Sequence, residues 1–322
     1  MLKDKIDTGL LERFEAGLDP LNPHLSKISA KIIGYGEMST IFVISHTGQE
    51  NIAYKRMPIF RSLDEMETYE RLFEEYSTGL MNIGINIPEF ASARVIPEKG
   101  NRVIYNAQER LPSASIGNAL IHRLDENSVR LLFLCVLREL KKVFAFNRER
   151  PSLTFGFDGQ ISNWAMKDYQ EGKPVTEKTE LFYIDTGTPL IRKDGIEQLN
   201  PELFLRSAPS FLVWLIRLLF LKEVMTRYYD FRKVTIDLIA NFYKEQRPDF
   251  IPMLIETANR FFAGEEAQSG IAPVTQKEIV SYYREDATIW RVYLAFRKID
   301  RYLHLKILGK PYVYILPEKI KR

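Results

Sequence analysis

Three polar side chains in the middle of the chain have the types and spacing needed for chemistry on a phosphate. Asp158 lies in Phe155-Gly-Phe-Asp-Gly-Gln-Ile-Ser-Asn163, and Asn163 follows it five positions later. Asp185 closes the apolar, strand-like run Leu181-Phe-Tyr-Ile184 and opens Asp185-Thr-Gly187. A pair of oxygen ligands from a loop and a strand end suits Mg²⁺, which keeps its waters and bridges nucleotide phosphates. The remaining carboxylate, Asp158, then accepts or orients the proton of a substrate hydroxyl. An Asp with an Asn five residues on recurs by chance in many chains, so the weight lies in the context. An apolar helix precedes the segment, and Trp164-Ala-Met166 with a polar turn follows it.

Upstream residues extend the set. Gly34-Tyr-Gly-Glu-Met-Ser39 between two strand-like runs resembles a kinase glycine-rich loop with Ser39 in place of the third glycine. Small residues there let backbone amides approach phosphates, although a Gly-x-Gly turn between strands is more often a plain hairpin. Ile52-Ala-Tyr-Lys55 matches the kinase strand whose lysine reaches the phosphates. Of the glutamates on the following helix, Glu70 shares a face with Met66 and Phe73 and is the expected partner of Lys55, with Glu67 close behind. Tyr105-Asn-Ala-Gln-Glu-Arg-Leu-Pro112 resembles the connection between kinase lobes, where backbone groups of Gln108, Glu109 and Leu111 would meet adenine.

Gly34, Gly36, Ser39, Lys55, Glu70, this connection, Asp158, Asn163 and Asp185 occur in an order that resembles the protein-kinase-like superfamily. Within it, the aminoglycoside phosphotransferase and choline kinase branch is the nearer likeness, over roughly residues 31 to 190. The resemblance implies an α+β, protein-kinase-like two-lobed fold: a small antiparallel five-stranded lobe with one helix, and a larger, mainly helical lobe. It also implies transfer of a phosphoryl group from ATP or GTP, with Mg²⁺, to the hydroxyl of a small molecule. Asp158, Lys55 and Glu70 are then catalytic, Asn163 and Asp185 hold the metal, and Gly34, Gly36, Ser39, Lys55, Gln108, Glu109 and Leu111 hold the nucleotide. Gly156 stands where a His is usual, Phe157 where protein kinases carry an Arg, and Thr186 where they carry a Phe. These departures leave room for a catalytically silent nucleotide or partner binder. Asp185-Thr-Gly187 also matches the aspartic-protease signature, but the sequence holds no second such motif, and the residues after it are helical in pattern. Asn200-Pro-Glu202 is a helix start, with Asn200 as cap and Pro201 in the first turn. Arg192 and Lys193 face either an anionic substrate or solvent.

The elements that must position these groups follow from periodicity. A leading helix spans about 5 to 17, and strands are expected near 31–33, 41–44, 52–57, 90–96 and 102–108. Ser62-Leu-Asp-Glu65 outlines a capping box that opens a helix to about Tyr76. Pro97 to Asn101 forms a turn, and Trp164 to Ile184 a hairpin. Further helices are expected near 115–123, 126–147, 208–228, 231–245, 248–263, 275–285 and 286–306. These give an extension over 1–30, a nucleotide-binding lobe over 31–112 and a helical lobe over 113–322.

At 322 residues, 45% apolar and 27% charged, the chain can bury a sizeable core. Its 45 basic and 42 acidic residues give a net charge of +3, too balanced to argue for nucleic acid or a membrane as partner. The apolar run 211–221 is roughly half the ~20 residues that a membrane span needs, and Arg217 interrupts it. A single cysteine, Cys135, sits in an apolar run, which excludes a disulfide framework within the chain and fits a reducing cytoplasm.

Overall fold

Alternating apolar residues on both sides of the first long helix produce one antiparallel sheet. The computed structural model describes residues 1–36, 39–97, 102–206 and 226–317. Strands β1 (Ala30–Tyr35), β2 (Thr40–Ile44), β3 (Ile52–Phe60), β4 (Phe90–Val95) and β5 (Arg102–Glu109) pair in the order β1-β2-β3-β5-β4. The five strands are those expected from the pattern. The turn expected after Pro97 and residues Glu37 and Met38 of the glycine loop lie outside the described residues.

Side-chain alternation gives this sheet two working faces. Helix α1 (Thr8–Gly17), whose first turn is capped by the Asp7 carboxylate accepting from the Leu10 amide at 2.8 Å, covers the outer face. There Leu10, Leu11 and Phe14 pack against Phe42, Ile44, Tyr54 and Tyr105. Helix α2 (Leu63–Ile83) covers the inner face with Met66, Tyr69, Leu72, Phe73, Tyr76 and Leu80. The Ser62 hydroxyl caps it by accepting from the Glu65 amide at 3.2 Å. Glu65 accepts from the Arg61 amide, so the expected box is half made. The helix runs past Tyr76 because its buried stripe continues to Leu80, and Gly84 ends it in the left-handed region at φ 94°.

Helices dominate beyond Pro112. A one-turn helix α3 (Gly117–Leu120) stands where 115–123 was expected, followed by α4 (Glu126–Glu149), which buries Cys135 in the inner core. Strand β6 (Leu153–Phe155) leads into the Asp158 loop, and the hairpin of β7 (Trp164–Met166) and β8 (Leu181–Tyr183) leads out of it. Strands β9 (Ile191–Lys193) and β10 (Ile196–Glu197) join β6 in a three-stranded sheet. The short helix α5 (Glu202–Leu205) starts one residue later than expected, with Pro201 in the capping position, while Asn200 Oδ1 accepts from the Glu202 amide at 3.0 Å. Most of the helix expected over 208–228 lies outside the described residues. Then come α6 (Phe231–Lys244), α7 (Ile251–Ala263) and α8 (Gln276–Tyr302). Helix α8 replaces two expected helices, since neither Gly nor Pro near Glu285-Asp286 interrupts it. The fold is α+β and two-lobed, and one continuous apolar core runs from the inner face of the sheet into the helical lobe.

Candidate active site

Strand β3 sends Tyr54 to the outer core and leaves Lys55 on the inner side of the sheet. Lys55 Nζ donates to Asp185 Oδ1 at 2.6 Å across 130 residues of sequence. Ile41, directly opposite Lys55 on β2, and Ala53 share its face by alternation and are partly buried, a small apolar platform beside the lysine. That platform was readable from the alternation alone.

The loop that carries Asp158 is shaped by close packing. A Cβ on Gly156 would stand 2.9 Å from Leu190 Cβ and 3.0 Å from the Tyr229 ring, so the space that a histidine would need is filled. Phe157 is fully buried against Trp164 and Tyr183, whose ring centroid lies 4.1 Å away. An aromatic core contact therefore stands in place of an arginine. Gly117, at the start of α3, admits no side chain because its Cβ would meet the Ile161 carbonyl oxygen at 2.2 Å. Asn163 Nδ2 donates to the Asp158 carbonyl at 3.3 Å, and the Asn163 carbonyl accepts from the Ile184 amide at 2.9 Å. The loop and the strand that delivers Asp185 are thus tied together.

Burial, then the carboxylates of Asp237 and Asp185, push the Asp158 carboxyl up to about 7. Asp237, on α6, is a site residue that the sequence reading missed. It is 6% exposed, and its carboxyl is likewise raised by burial, against the pull of Arg227. Gln160 links the two carboxylates: its amide donates to Asp158 Oδ1 at 3.2 Å and its Nε2 to Asp237 Oδ2 at 3.3 Å. Lys244 Nζ and Asn241 Nδ2 donate to Gln160 Oε1 at 2.9 and 3.3 Å. The signal lay in α6, where Asp237, Asn241 and Lys244 fall at helical spacing among the apolar residues Val234, Ile236, Leu238, Ile239 and Phe242.

Glu70 does not meet Lys55. Its carboxylate accepts from Ser92 Oγ at 3.0 Å and from Arg94, which also reaches Glu67 at 3.0 Å, so both glutamates bind the outer edge strand β4. The inward position belongs to Tyr69, which shares the face of Met66 and Phe73 as well as Glu70 does but loses less on burial. The segment that begins at Asp185 is held at three successive residues. Lys55 donates to Asp185 at 2.6 Å, Gln108 Nε2 to Thr186 Oγ1 at 3.3 Å and Tyr69 to the Gly187 carbonyl at 2.8 Å.

In the glycine loop, Gly34 sits at a bulge of β1 and the Gly36 amide donates to the Ser39 carbonyl at 3.0 Å, with Ser39 buried. At the connection between lobes, the Glu109 amide donates to the Glu89 carbonyl and the Arg110 amide to Asn51, both at 2.9 Å. The Glu109 amide is therefore engaged in the sheet edge rather than turned to a base. Arg192 pairs with Glu197 at 3.2 Å and lies over the Tyr229 ring, and Lys193 pairs with Glu75 at 2.7 Å. Both cations serve local ion pairs.

A protein family described as "Family of unknown function (DUF6206)" matches residues 27–301. The chain belongs to that family. No curated protein matches the sequence. Among solved structures it is similar to the GDP complex of wild-type aminoglycoside 2′-phosphotransferase-IIIa, at 12% identity over 76% of this chain and 95% of that one, with a TM-score of 0.34. The GDP and kanamycin complex of APH(2″)-IIIa is similar at 12% identity over 80% and 99%, with a TM-score of 0.35. WaaP in complex with acyl carrier protein is similar at 12% identity over 70% and 89%, with a TM-score of 0.34. At these scores the chemistry of this DUF6206 chain rests on its own side chains. Among the described residues no helix is long and apolar enough to cross a membrane.

Proposed function

We propose that this DUF6206 chain is a phosphotransferase that moves a phosphoryl group from ATP or GTP to the hydroxyl of a small molecule. The observation that carries the reading is the convergence of Lys55 on Asp185 and of Asn163, tied to the Asp185 strand, on the Asp158 loop. No packing role calls for these four groups together, whereas phosphoryl transfer needs a cation on the phosphates, two oxygen ligands for a metal and a base for the acceptor. Lys55 orients and neutralises phosphate oxygens, Ile41 and Ala53 flank the base, and the amide of Leu111 takes the contact that Glu109 has lost.

The donor set fits Mg²⁺. Asn163 spends its Nδ2 on a carbonyl, which leaves its amide oxygen, and Asp185 gives Oδ1 to Lys55, which leaves Oδ2. Among the described residues no group of three His, Cys, Asp or Glu could hold a metal by itself. That suits an ion that takes one or two protein oxygens and completes its shell with water and phosphate. When bound, it would neutralise charge on the phosphates. Asp158 accepts the proton of the acceptor hydroxyl, a task suited to a carboxyl that titrates near neutral pH.

The test is a thermal-shift titration with ATP and GTP, with and without Mg²⁺. Binding to the native state raises the melting temperature by mass action, about 2.7 kcal/mol at a hundredfold excess over Kd. A clear upward shift that needs Mg²⁺ is expected for wild type and is lost in Lys55→Met and Asp185→Ala. A melting temperature indifferent to millimolar Mg-nucleotide removes the reading. A panel of amino sugars, choline-like alcohols, nucleosides and sugar alcohols, followed by ADP release, then identifies the acceptor.

A further inference from the structure

We infer that Tyr69 is a positioning residue through which helix α2 sets the place of the Asp185–Gly187 segment. Its consequence for nucleotide rests on the phosphotransferase reading; the contact itself does not.

Tyr69 is 2% exposed, and the neighbours of its ring are apolar: Phe60 lies at a centroid distance of 5.2 Å and Phe73 at 6.3 Å. A phenylalanine would fill that site as well. The hydroxyl is the group that needs explaining, because a buried polar group is kept only where it is satisfied. Asn106 Nδ2 on β5 donates to it at 2.5 Å, which leaves its single hydrogen for the Gly187 carbonyl, 2.8 Å away and 118 residues downstream, in competition only with Met57 Sδ at 3.2 Å, a weak thioether acceptor. The bond has a direction set by its surroundings.

Its target is packed against Lys55. A Cβ on Gly187 would stand 2.8 Å from Lys55 Nζ, so Gly187 lies against the lysine that holds Asp185. The hydroxyl of Tyr69 therefore fixes one end of a three-residue segment whose other end is fixed by Lys55, with Gln108 holding the middle. Elements α2, β3 and β5 each supply one hold. Glu67 and Glu70, the acids flanking Tyr69, are bound instead to Arg94 on β4. A shift of α2 is transmitted to Gly187 and from there to Asp185, whose Oδ2 would hold the metal on the phosphotransferase reading.

The experiment compares wild type with Tyr69→Phe and Glu70→Gln on the full chain. Hydrogen exchange is followed by mass spectrometry over peptides that contain residues 184–190, without ligand. Apparent affinity for ATP is measured by thermal shift with and without Mg²⁺. Tyr69→Phe is expected to stay folded and to exchange faster over 184–190. It is expected to weaken Mg-ATP about tenfold while changing metal-free ATP by less than about threefold, a split that a merely structural role does not produce. Glu70→Gln is expected to move both readouts less than Tyr69→Phe does. Unchanged exchange over 184–190 in Tyr69→Phe overturns the inference whatever the nucleotide data say. So does a uniform loss of stability with no change localised to that segment. Wild type that ignores Mg-ATP altogether sinks the phosphotransferase reading instead, and the exchange comparison still decides the role of Tyr69.

Discussion

Asp158 shares its surroundings with Asp237 and Asp185, and its titration follows from burial first and from those carboxylates second. A free aspartate titrates near 3.9, whereas this one is raised to about 7. The folded chain thus holds this proton more tightly than the unfolded chain does. Its contribution to stability is fully present below about pH 4 and is lost as the pH rises through about 7. Asp158→Asn removes the charge while keeping the shape, so it is expected to stabilise the fold at pH 8 by on the order of a few kcal/mol and to do little at pH 4.5. Urea unfolding at the two pH values checks this. Equal effects at both would show that the carboxyl titrates normally. In the presence of an acceptor, the same variant is expected to bind Mg-nucleotide as wild type does and to lose transfer by about a hundredfold or more.

The joint between α1 and β3 shows what local pattern leaves unsaid. Arg56 follows Lys55 but points outward, where it is 3% exposed and donates through Nε to Glu15 at 2.7 Å and through a terminal nitrogen to the Val313 carbonyl at 2.8 Å. Burial pushes the Glu15 carboxyl up, but hydrogen bonds from Arg56 and Tyr105 outweigh it and leave it below its usual 4.5. This contribution is therefore present above that value and is lost as the pH falls through the lowered one. Glu15→Gln leaves a buried guanidinium uncompensated and is expected to cost about 3–5 kcal/mol at pH 7, with a smaller difference in acid. Chemical denaturation at pH 7 and pH 4 measures it; a loss under 1 kcal/mol at pH 7 would mean that water reaches the pair. Strand alternation, the Ser62 cap and the Asp158 and Asp185 segments were legible because each is decided within a few residues. Glu70 was misread because Tyr69 shares its helical face equally well, and charge was preferred where burial decides. Asp237 left only the trace of its helical spacing with Asn241 and Lys244, while its approach to Asp158 depends on tertiary packing that no short window carries; α8 was divided in two although no Gly or Pro near Glu285-Asp286 called for a break.

The chain closes on itself through more than the connection at Pro112. Its inner core runs from Met57 and Ile104 in the sheet to Leu238 and Leu254 in the helical lobe, while a second core under α1 contains Ile315 from the far end of the sequence. Residues 311–317 return from α8 to the sheet. Val313 accepts from Arg56, the Tyr314 hydroxyl donates to the Arg206 carbonyl at 2.9 Å, and Arg206 in turn grips Glu65 at 2.6 Å and the Ile59 carbonyl at 2.9 Å. The two ends of the described chain thus meet on the side of β3 opposite Lys55. Removing residues 311–322 is expected to cost about 1.5–3 kcal/mol for the burial of Ile315 and a similar amount for the charged hydrogen bond of Arg56. In a protein of this size that corresponds to a melting temperature lower by on the order of 5–10 °C. Because the inner core spans both lobes, wild type is expected to melt in one transition. If the returning segment braces the sheet, the truncated chain melts earlier and its extra hydrogen exchange concentrates in α1, β2 and β3. A truncated chain with unchanged melting would show that the returning segment only lies on the sheet, and that Arg56 is satisfied by Glu15 alone.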